Sequence, residues 1–459
     1  MAFRKKDAGG TSDQNRGSVN SGKLRRTGRE VTGTVDERMM ERYGSEAKVR
    51  IADESEVVDP PKKPVRKPKE KRSFKERIIG RSEQGDIYRV KGSIDRPMLI
   101  IILMLIGFGC VMVFSASYAY ALNRYGDSYY YIKRQLLFVA IGVTVMAAAS
   151  FVDYKVIKRL TPLYFGTALI LLFVVLAAGV ASGVAKRWID LGPFTIQPSE
   201  IMKLGLILML ALYYSRVGNK VREGGFWKTS TFGFFIPFLF VAVVCGLIIL
   251  ERHLSGTIIL FAIGMVVIWC AGGRMIWFGV GVLGAAALGV VAVNSFEYAA
   301  KRVDIWLHPE NYSIQSEVWQ TLQGMYAVGS GGIFGVGIGN SRQKHLFVSQ
   351  PQNDFIFSIL CEELGLIGAL CVIALFIAFL IRGVIIARRA PDTFSRLTVI
   401  GIVAKVTIQA FLNIAVVTNT IPNTGISLPF FSYGGTALIM LLTEMGVLLS
   451  ISRYTRLQT

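Results

Sequence analysis

The sequence is poor in charge, in cysteine and in histidine. Asp, Glu, Lys and Arg make up only 18% of its 459 residues while 52% are apolar, and the mean hydropathy is +0.47, a balance that excludes an ordinary soluble domain. The five cysteines, Cys110, Cys245, Cys270, Cys361 and Cys371, are odd in number and lie inside apolar runs without a CxxC spacing. A disulfide scaffold and a zinc module are therefore excluded, and the thiols read as small buried apolar groups. His253, His308 and His345 form no HExxH or comparable cluster. Strands of alternating polarity are also lacking, which argues against a membrane barrel.

What is abundant is positive charge and long apolar runs. Residues 1–96 carry 25 Lys/Arg against 16 Asp/Glu, and the remainder carries 26 against 15. Spread among apolar segments, such charge orients helices in a bilayer, so no nucleic-acid partner is expected. Residues 1–96, rich in Gly, Ser, Pro and charge, are expected to form a disordered basic cytoplasmic tail. They contain no short apolar core with a cleavage site, so a secretory signal is not expected. The run from Pro60 to Arg77 holds nine Lys/Arg; it reads either as a topology signal or as a contact for anionic lipid or an acidic partner.

From residue 97 onward the expectation is an all-α polytopic membrane domain. A helix needs about 20 apolar residues to cross the hydrocarbon core. Ten such segments are found, near 98–116, 135–152, 163–182, 200–215, 232–250, 255–272, 274–293, 355–380, 398–417 and 430–452. Joints rich in Lys and Arg alternate with poorer ones, which places both termini in the cytoplasm. The long connection 294–354, between the seventh and eighth spans, then lies outside the plasma membrane, where length signals function.

Ionisable residues sit at or within these spans: Glu200, Lys203, Glu251, Arg252, Glu362, Glu363, Lys405 and Glu444. Each charge costs roughly 2.5–3.5 kcal/mol in lipid even on lenient scales, so they should face a cavity or one another. Glu200 and Lys203 share a helix face and read either as a structural ion pair or, with Arg187, as a site for an anionic head group. The glycine-dense run Gly329–Lys344 would let backbone N–H groups approach an anion, or is simply a flexible turn. It lacks the context of a dinucleotide or Walker loop, and Ser341–Lys344 is a chance SxxK match.

Four blocks, taken in order, resemble the SEDS family (shape, elongation, division and sporulation; FtsW/RodA/SpoVE type). They are Arg187-Trp188 through Gly192 with Gln197-Pro198-Ser199-Glu200 and Lys203; Gly329–Lys344; Asn353-Asp354-Phe355 with Glu362-Glu363 and Gly365; and Asn419, Pro422, Thr424-Gly425 with Leu428-Pro429, Ser432, Tyr433, Gly434 and Gly435. The resemblance spans about residues 95–455. It implies a ten-helix glycosyltransferase that polymerises lipid II outside the plasma membrane, beside a class B penicillin-binding protein and the proteins of division, elongation or sporulation. That chemistry asks for a carboxylate as base and for cations, N–H donors or a divalent ion, magnesium or manganese, to neutralise the departing diphosphate. Arg187, Lys203, Arg342 and Lys344 are the expected diphosphate contacts, with Glu200, Asp354, Glu363, Ser432 and Tyr433 shaping the cavity.

The chain departs from the family pattern at two places. Where the family carries its catalytic aspartate in the outer loop, counting from the right gives Ser313 and counting from Pro309 gives Tyr312. Glu310, then Glu317 or Asp304, are the acids expected to take the base role. In the block after the fifth span, His253 stands where an aspartate is usual. Two alternatives to the enzyme follow: a non-catalytic scaffold for the penicillin-binding protein, and a lipid II translocator.

Overall fold

The computed structural model describes residues 92–178, 180–182, 185–190, 195–222, 224–295, 297–308, 311–312 and 318–455, together with a short ribbon near the N-terminus. Contacts divide the chain into two units, Met1–Lys71 and Arg72–Thr459. The first holds the ribbon, in which β1 (Arg25–Arg26) pairs antiparallel with β2 (Arg29–Glu30). The rest of the stretch expected to be a disordered tail, up to residue 91, lies outside the described residues.

The second unit is the predicted helical bundle. Among the described residues, eight helices are long and apolar enough to cross a membrane: α1 (Arg96–Tyr125), α2 (Tyr130–Phe151), α3 (Tyr154–Ala178), α4 (Pro198–Arg222), α5 (Phe226–Leu250), and the three C-terminal ones, Ile356–Arg388, Thr393–Val417 and Gly435–Ser452. Between them come α6 (Leu254–Cys270) and α7 (Met275–Ser295), whose apolar stretches are shorter, then α8 (Glu297–Leu307) and α9 (Val318–Ser330). The last three are thus α10, α11 and α12. All ten predicted apolar segments are helical, but the boundaries move. The third segment, expected to run to residue 182, ends at Ala178; Val180–Ser182 is instead β3, paired with β4 (Ala185–Asp190), which pairs with β5 (Thr195–Ile196). The long connection after α7 is not open loop, since α8 and α9 lie in it.

Local chemistry explains the helix ends. Asp95 caps α1 by accepting the Met98 N–H at 3.0 Å, Pro97 fits the first turn, and Gly126 stops the helix with φ +71°. Asp392 and Ser395 form a reciprocal capping box on α11. At the terminal end of the bundle, Gly92 N–H donates to the Arg453 carbonyl and the Arg382 guanidinium grips both Asp95 oxygens at 2.9 and 2.6 Å. The start of α1 and the end of α12 therefore meet. Lys158 reaches Asp392 at 3.2 Å, adding the start of α3 and the α10–α11 joint to that end.

Small residues set the closest helix approaches, as expected where lipid offers no hydrophobic drive between helices. A Cβ on Gly446 of α12 would sit 2.6 Å from the Met146 carbonyl of α2, and one on Gly109 of α1 would sit 2.1 Å from the Phe430 carbonyl. At Gly365 (φ +65°, ψ −163°) α10 breaks. The glycine-rich run closes the gap: Val336 and Gly337 N–H donate to the Glu362 and Glu363 carbonyls, while Leu366 and Ile367 N–H donate to Gly332 and Ile333. Backbone groups released by the break thus find partners within the protein, a condition for irregular backbone in such a bundle. Gly331 and Gly335 permit the contact, because a Cβ on either would fall within 2.2 Å of a carbonyl oxygen of α10.

Candidate functional site

Opposite the terminal end, the starts of α4, α10 and α12 and the segment after α11 surround a polar cavity of about 240 Å³. Arg187 and Trp188 of β4, Glu200 and Lys203 of α4, His253 and Ser255 at the start of α6, and Asp354 before α10 line it. Lys405 and Gln409 of α11 and the segment 425–434 complete the wall. Three cationic residues and two carboxylates thus face one volume.

The cavity floor is a buried ionic chain. Lys203 Nζ lies 2.5 Å from Glu200 Oε1, Lys405 Nζ lies 3.8 Å from Glu200 Oε2 and 2.6 Å from Glu444 Oε1. All four groups are buried. Two acids and two bases from α4, α11 and α12 cancel, which lets these charges persist where each alone would be costly.

The segment after α11 is fixed by polar side chains of its neighbours. Asn413 Nδ2 donates to the Asp354 carbonyl at 2.8 Å and to the Ile426 carbonyl at 2.6 Å, clamping α10's entry to this segment. Gln409 donates to the Ser427 carbonyl at 3.0 Å. Ser432 donates to the Asn353 carbonyl at 2.8 Å and accepts the Leu428 N–H, and the Tyr433 ring packs edge-on against Tyr131 at 4.8 Å. Left-handed backbone at Asn419, Gly425 and Phe430 gives the segment its turns.

At the α5–α6 joint, the Arg187 guanidinium donates to the Arg252 carbonyl. The His253 ring lies across Gly256 and 3.4 Å from Ser199 Oγ. Burial, reinforced by the nearby cations Arg187 and Lys203, pushes its pKa down to about 3, so the ring is neutral. Burial pushes the neighbouring Glu251 carboxyl up to about 7 against the opposing pull of Arg187.

Of the residues singled out in the sequence, Arg187, Glu200, Lys203, Asp354, Ser432 and Tyr433 come together here. Three others do not line the cavity. Lys344 and Glu363 are both fully buried, paired at 2.8 Å, and Glu363 also accepts from Ser115 at 2.7 and 2.6 Å; the pair ties the glycine-rich run to α1 and α10. Arg342 is exposed and its backbone N–H donates to Glu362 at 2.9 Å, a carboxylate that also accepts from Ser341. The glycine-rich run serves the break in α10.

Asp304 is exposed on α8 and accepts a hydrogen bond from the Tyr312 hydroxyl at 2.5 Å. Trp306, on the same helix, donates to the Asn419 carbonyl at 3.0 Å and tethers α8 to the segment that walls the cavity. Glu310, Ser313 and Glu317 lie outside the described residues. Lys405, Gln409 and His253 line the cavity without having been assigned to it from sequence; Lys405 carried a signal as a charge in the middle of an apolar run, and His253 as a departure from the family pattern. Among the described residues no three His, Cys, Asp or Glu side chains form a ligand set for a metal ion.

Comparison with known proteins places these features in context. The family model FTSW_RODA_SPOVE, described as cell cycle protein, matches residues 96–457. The chain is 40% identical over 370 residues to stage V sporulation protein E of Bacillus subtilis, covering 80% of this chain and 99% of that one. It is 36% identical over 365 residues to the probable peptidoglycan glycosyltransferase FtsW of Trichlorobacter lovleyi, covering 78% and 93%. Among solved structures it resembles a chain of a peptidoglycan synthase complex that coordinates polymerization and crosslinking, with 26% identity, a TM-score of 0.64, and 78% and 98% of the two chains covered. The rod shape determining protein RodA of Thermus thermophilus is similar at 25% identity and a TM-score of 0.58, over 78% and 97% of the chains. With the whole helical bundle matched, the chain belongs to the FtsW/RodA/SpoVE family of membrane proteins.

Proposed function

We propose that this protein is a peptidoglycan glycosyltransferase that polymerises lipid II into glycan strands at the outer face of the bacterial plasma membrane, beside a class B penicillin-binding protein. The observation that carries the reading is the cavity, where Arg187, Lys203 and Lys405 converge with Asp354 and Glu200. Its walls are the ends of apolar helices, so a prenyl tail can stay in lipid while the diphosphate and sugar reach polar groups. The end carrying Lys158, Arg382 and Arg453 is assigned to the cytoplasm, which puts the start of α1 and the end of α12 inside and the cavity outside.

In the reaction a sugar hydroxyl attacks the anomeric carbon, the new C–O bond forms, and the bond to the diphosphate breaks. The hydroxyl proton passes to a carboxylate, and the charge on the leaving diphosphate is met by Arg187, Lys203 and Lys405. The base is assigned to an acid of the run 304–317; in support, Trp306 of α8 donates to the Asn419 carbonyl, in the segment whose later part walls the cavity. Magnesium or manganese would enter on the diphosphate through oxygen ligands.

The test is lipid II polymerisation by purified protein, with and without the penicillin-binding protein, and with and without chelator, comparing wild type with Asp304→Asn, Glu310→Gln and Glu317→Gln. Loss of strands in one variant, at unchanged expression, identifies the base. No strands from wild type with partner and divalent ion present would refute the enzyme and leave the scaffold. Transfer of fluorescent lipid across liposomes holding this protein alone, dependent on Lys203 or Arg187, would favour the translocator.

A further inference from the structure

Glu251, at the joint between α5 and α6, is only 2% exposed, and neither carboxylate oxygen has a hydrogen-bond partner among the described residues. A buried acid left this way is costly and calls for a reason. The joint around it is built with care. Arg252 adopts a left-handed backbone with φ +55°, rare for a residue with a side chain. That turn presents the Arg252 carbonyl to the Arg187 guanidinium and sets His253 into the cavity wall. Such strain persists only where the surroundings enforce it, and it gathers at functional positions.

We propose that Glu251 acts through Arg187, which is seated on the carbonyl of the next residue: ionised and without a hydrogen bond of its own, its carboxylate offsets the guanidinium charge at the α5–α6 joint and, on taking a proton, releases that charge toward a diphosphate in the cavity. The proposal rests on the reading that the cavity takes a diphosphate. The charged and titratable groups around this joint are Arg187 of β4, Arg252 and His253 of the joint itself, Glu200 and Lys203 of α4, and Lys405 of α11. His253 is neutral at all relevant pH, and Glu200, Lys203 and Lys405 are held with Glu444 in one ionic chain. Burial without a hydrogen-bond donor pushes the Glu251 carboxyl up to about 7, so its charge changes near neutrality. With Glu251 ionised, Arg187 is partly neutralised where it stands. With Glu251 protonated, its full charge acts on the ligand. By linkage, a bound diphosphate must in turn favour the protonated carboxyl, and affinity falls about tenfold for each pKa unit by which the ligand raises it, once pH exceeds both values.

Two measurements on the full-length protein test this. Without ligand, the infrared band of the Glu251 carboxylic acid, identified by its loss in Glu251→Gln, should titrate near neutrality and move to higher pH in Arg187→Gln. An unmoved midpoint in Arg187→Gln overturns the proposal. With ligand, a fluorescent short-chain prenyl diphosphate sugar, whose diester keeps its charge throughout, is titrated from pH 6 to pH 8. Wild-type affinity should fall across this range while Glu251→Gln stays flat near the wild-type value at low pH. Equal slopes in the two proteins overturn the proposal. Absence of binding at every pH, with the infrared shift intact, overturns the reading of the cavity and the release step with it.

Discussion

Replacing Lys344 by Met separates a structural role from a binding role. Lys344 and Glu363 are each fully buried, with Nζ 2.8 Å from Oε1, and the ammonium also lies 4.8 Å over the Tyr118 ring. Lys344→Met keeps the length of the side chain but leaves the Glu363 carboxylate buried with Ser115 as its remaining side-chain donor. Removing one member of a buried pair costs about 3–5 kcal/mol, because the surviving charge has lost its compensation. Replacing both, as in Lys344→Met with Glu363→Leu, removes that orphan charge and should restore most of the loss, since an apolar pair of similar volume is often neutral or stabilising by about 1–4 kcal/mol. Unfolding in detergent, followed by tryptophan fluorescence across the double-mutant cycle, measures the coupling. Affinity for the prenyl diphosphate sugar, measured on the folded fraction, should not change. Additive losses, or a stable Lys344→Met that has lost affinity, would refute the argument and return Lys344 to the diphosphate site.

Two further outcomes follow from the fold. Gly365→Ala forces a Cβ to within 2.4 Å of the Gly335 nitrogen at a backbone φ of +65°; it should destabilise by more than the roughly 1–3 kcal/mol of local strain alone and lower the unfolding midpoint, whereas Gly107→Ala, in open space on α1, should not. Burial raises the Asp95 carboxyl, but the Arg382 pair and the Met98 N–H outweigh it and hold it below the usual range. The stability it contributes is therefore present above the ordinary aspartate pKa of about 3.9 and is lost as pH falls through the lower folded value; Asp95→Asn should flatten unfolding midpoints over that acidic window.

The ten apolar helices were legible because each is a long, predominantly apolar run set off by polar joints, a signal that needs no tertiary information. The site was half legible. Glu200 and Lys203 stood out as charges within an apolar run, with Arg187 on the loop before it, whereas Asp354, Ser432 and Tyr433 came only from the family resemblance; all six line the cavity. Glu363, a charge within a span, and Lys344, at the end of the glycine-rich run, were both expected at the cavity yet pair with each other, because which buried charges neutralise one another depends on how α1, α10 and that run pack. The glycines of that run suggested an anion, but what they accommodate is the broken backbone at Gly365. Sequence spacing shows that a backbone can come close to something and is silent on what. Strand β3 was hidden for a related reason: Val180–Ser182 continues the run of α3, and only its pairing with β4 separates it from that helix.

The ionic chain below the cavity sets a limit on how it can take an anion. Glu200, Lys203, Lys405 and Glu444 cancel without a ligand, so Lys203 and Lys405 meet a diphosphate only by loosening from their carboxylates. Glu444 grips Lys405 at 2.6 Å, against 3.8 Å for Glu200. Glu444→Gln removes the stronger hold and leaves an excess positive charge facing the cavity. The empty protein should then be less stable, by an amount on the order of 3–5 kcal/mol, while affinity for the prenyl diphosphate sugar rises and becomes more sensitive to salt. Glycan synthesis need not rise with affinity, since tighter ground-state binding alone does not lower the barrier. Tighter binding with reduced stability would mean that Lys405 is held back from the ligand by Glu444. Weaker binding in Glu444→Gln would mean that the ionic chain supports the cavity's shape and takes no share of the ligand's charge.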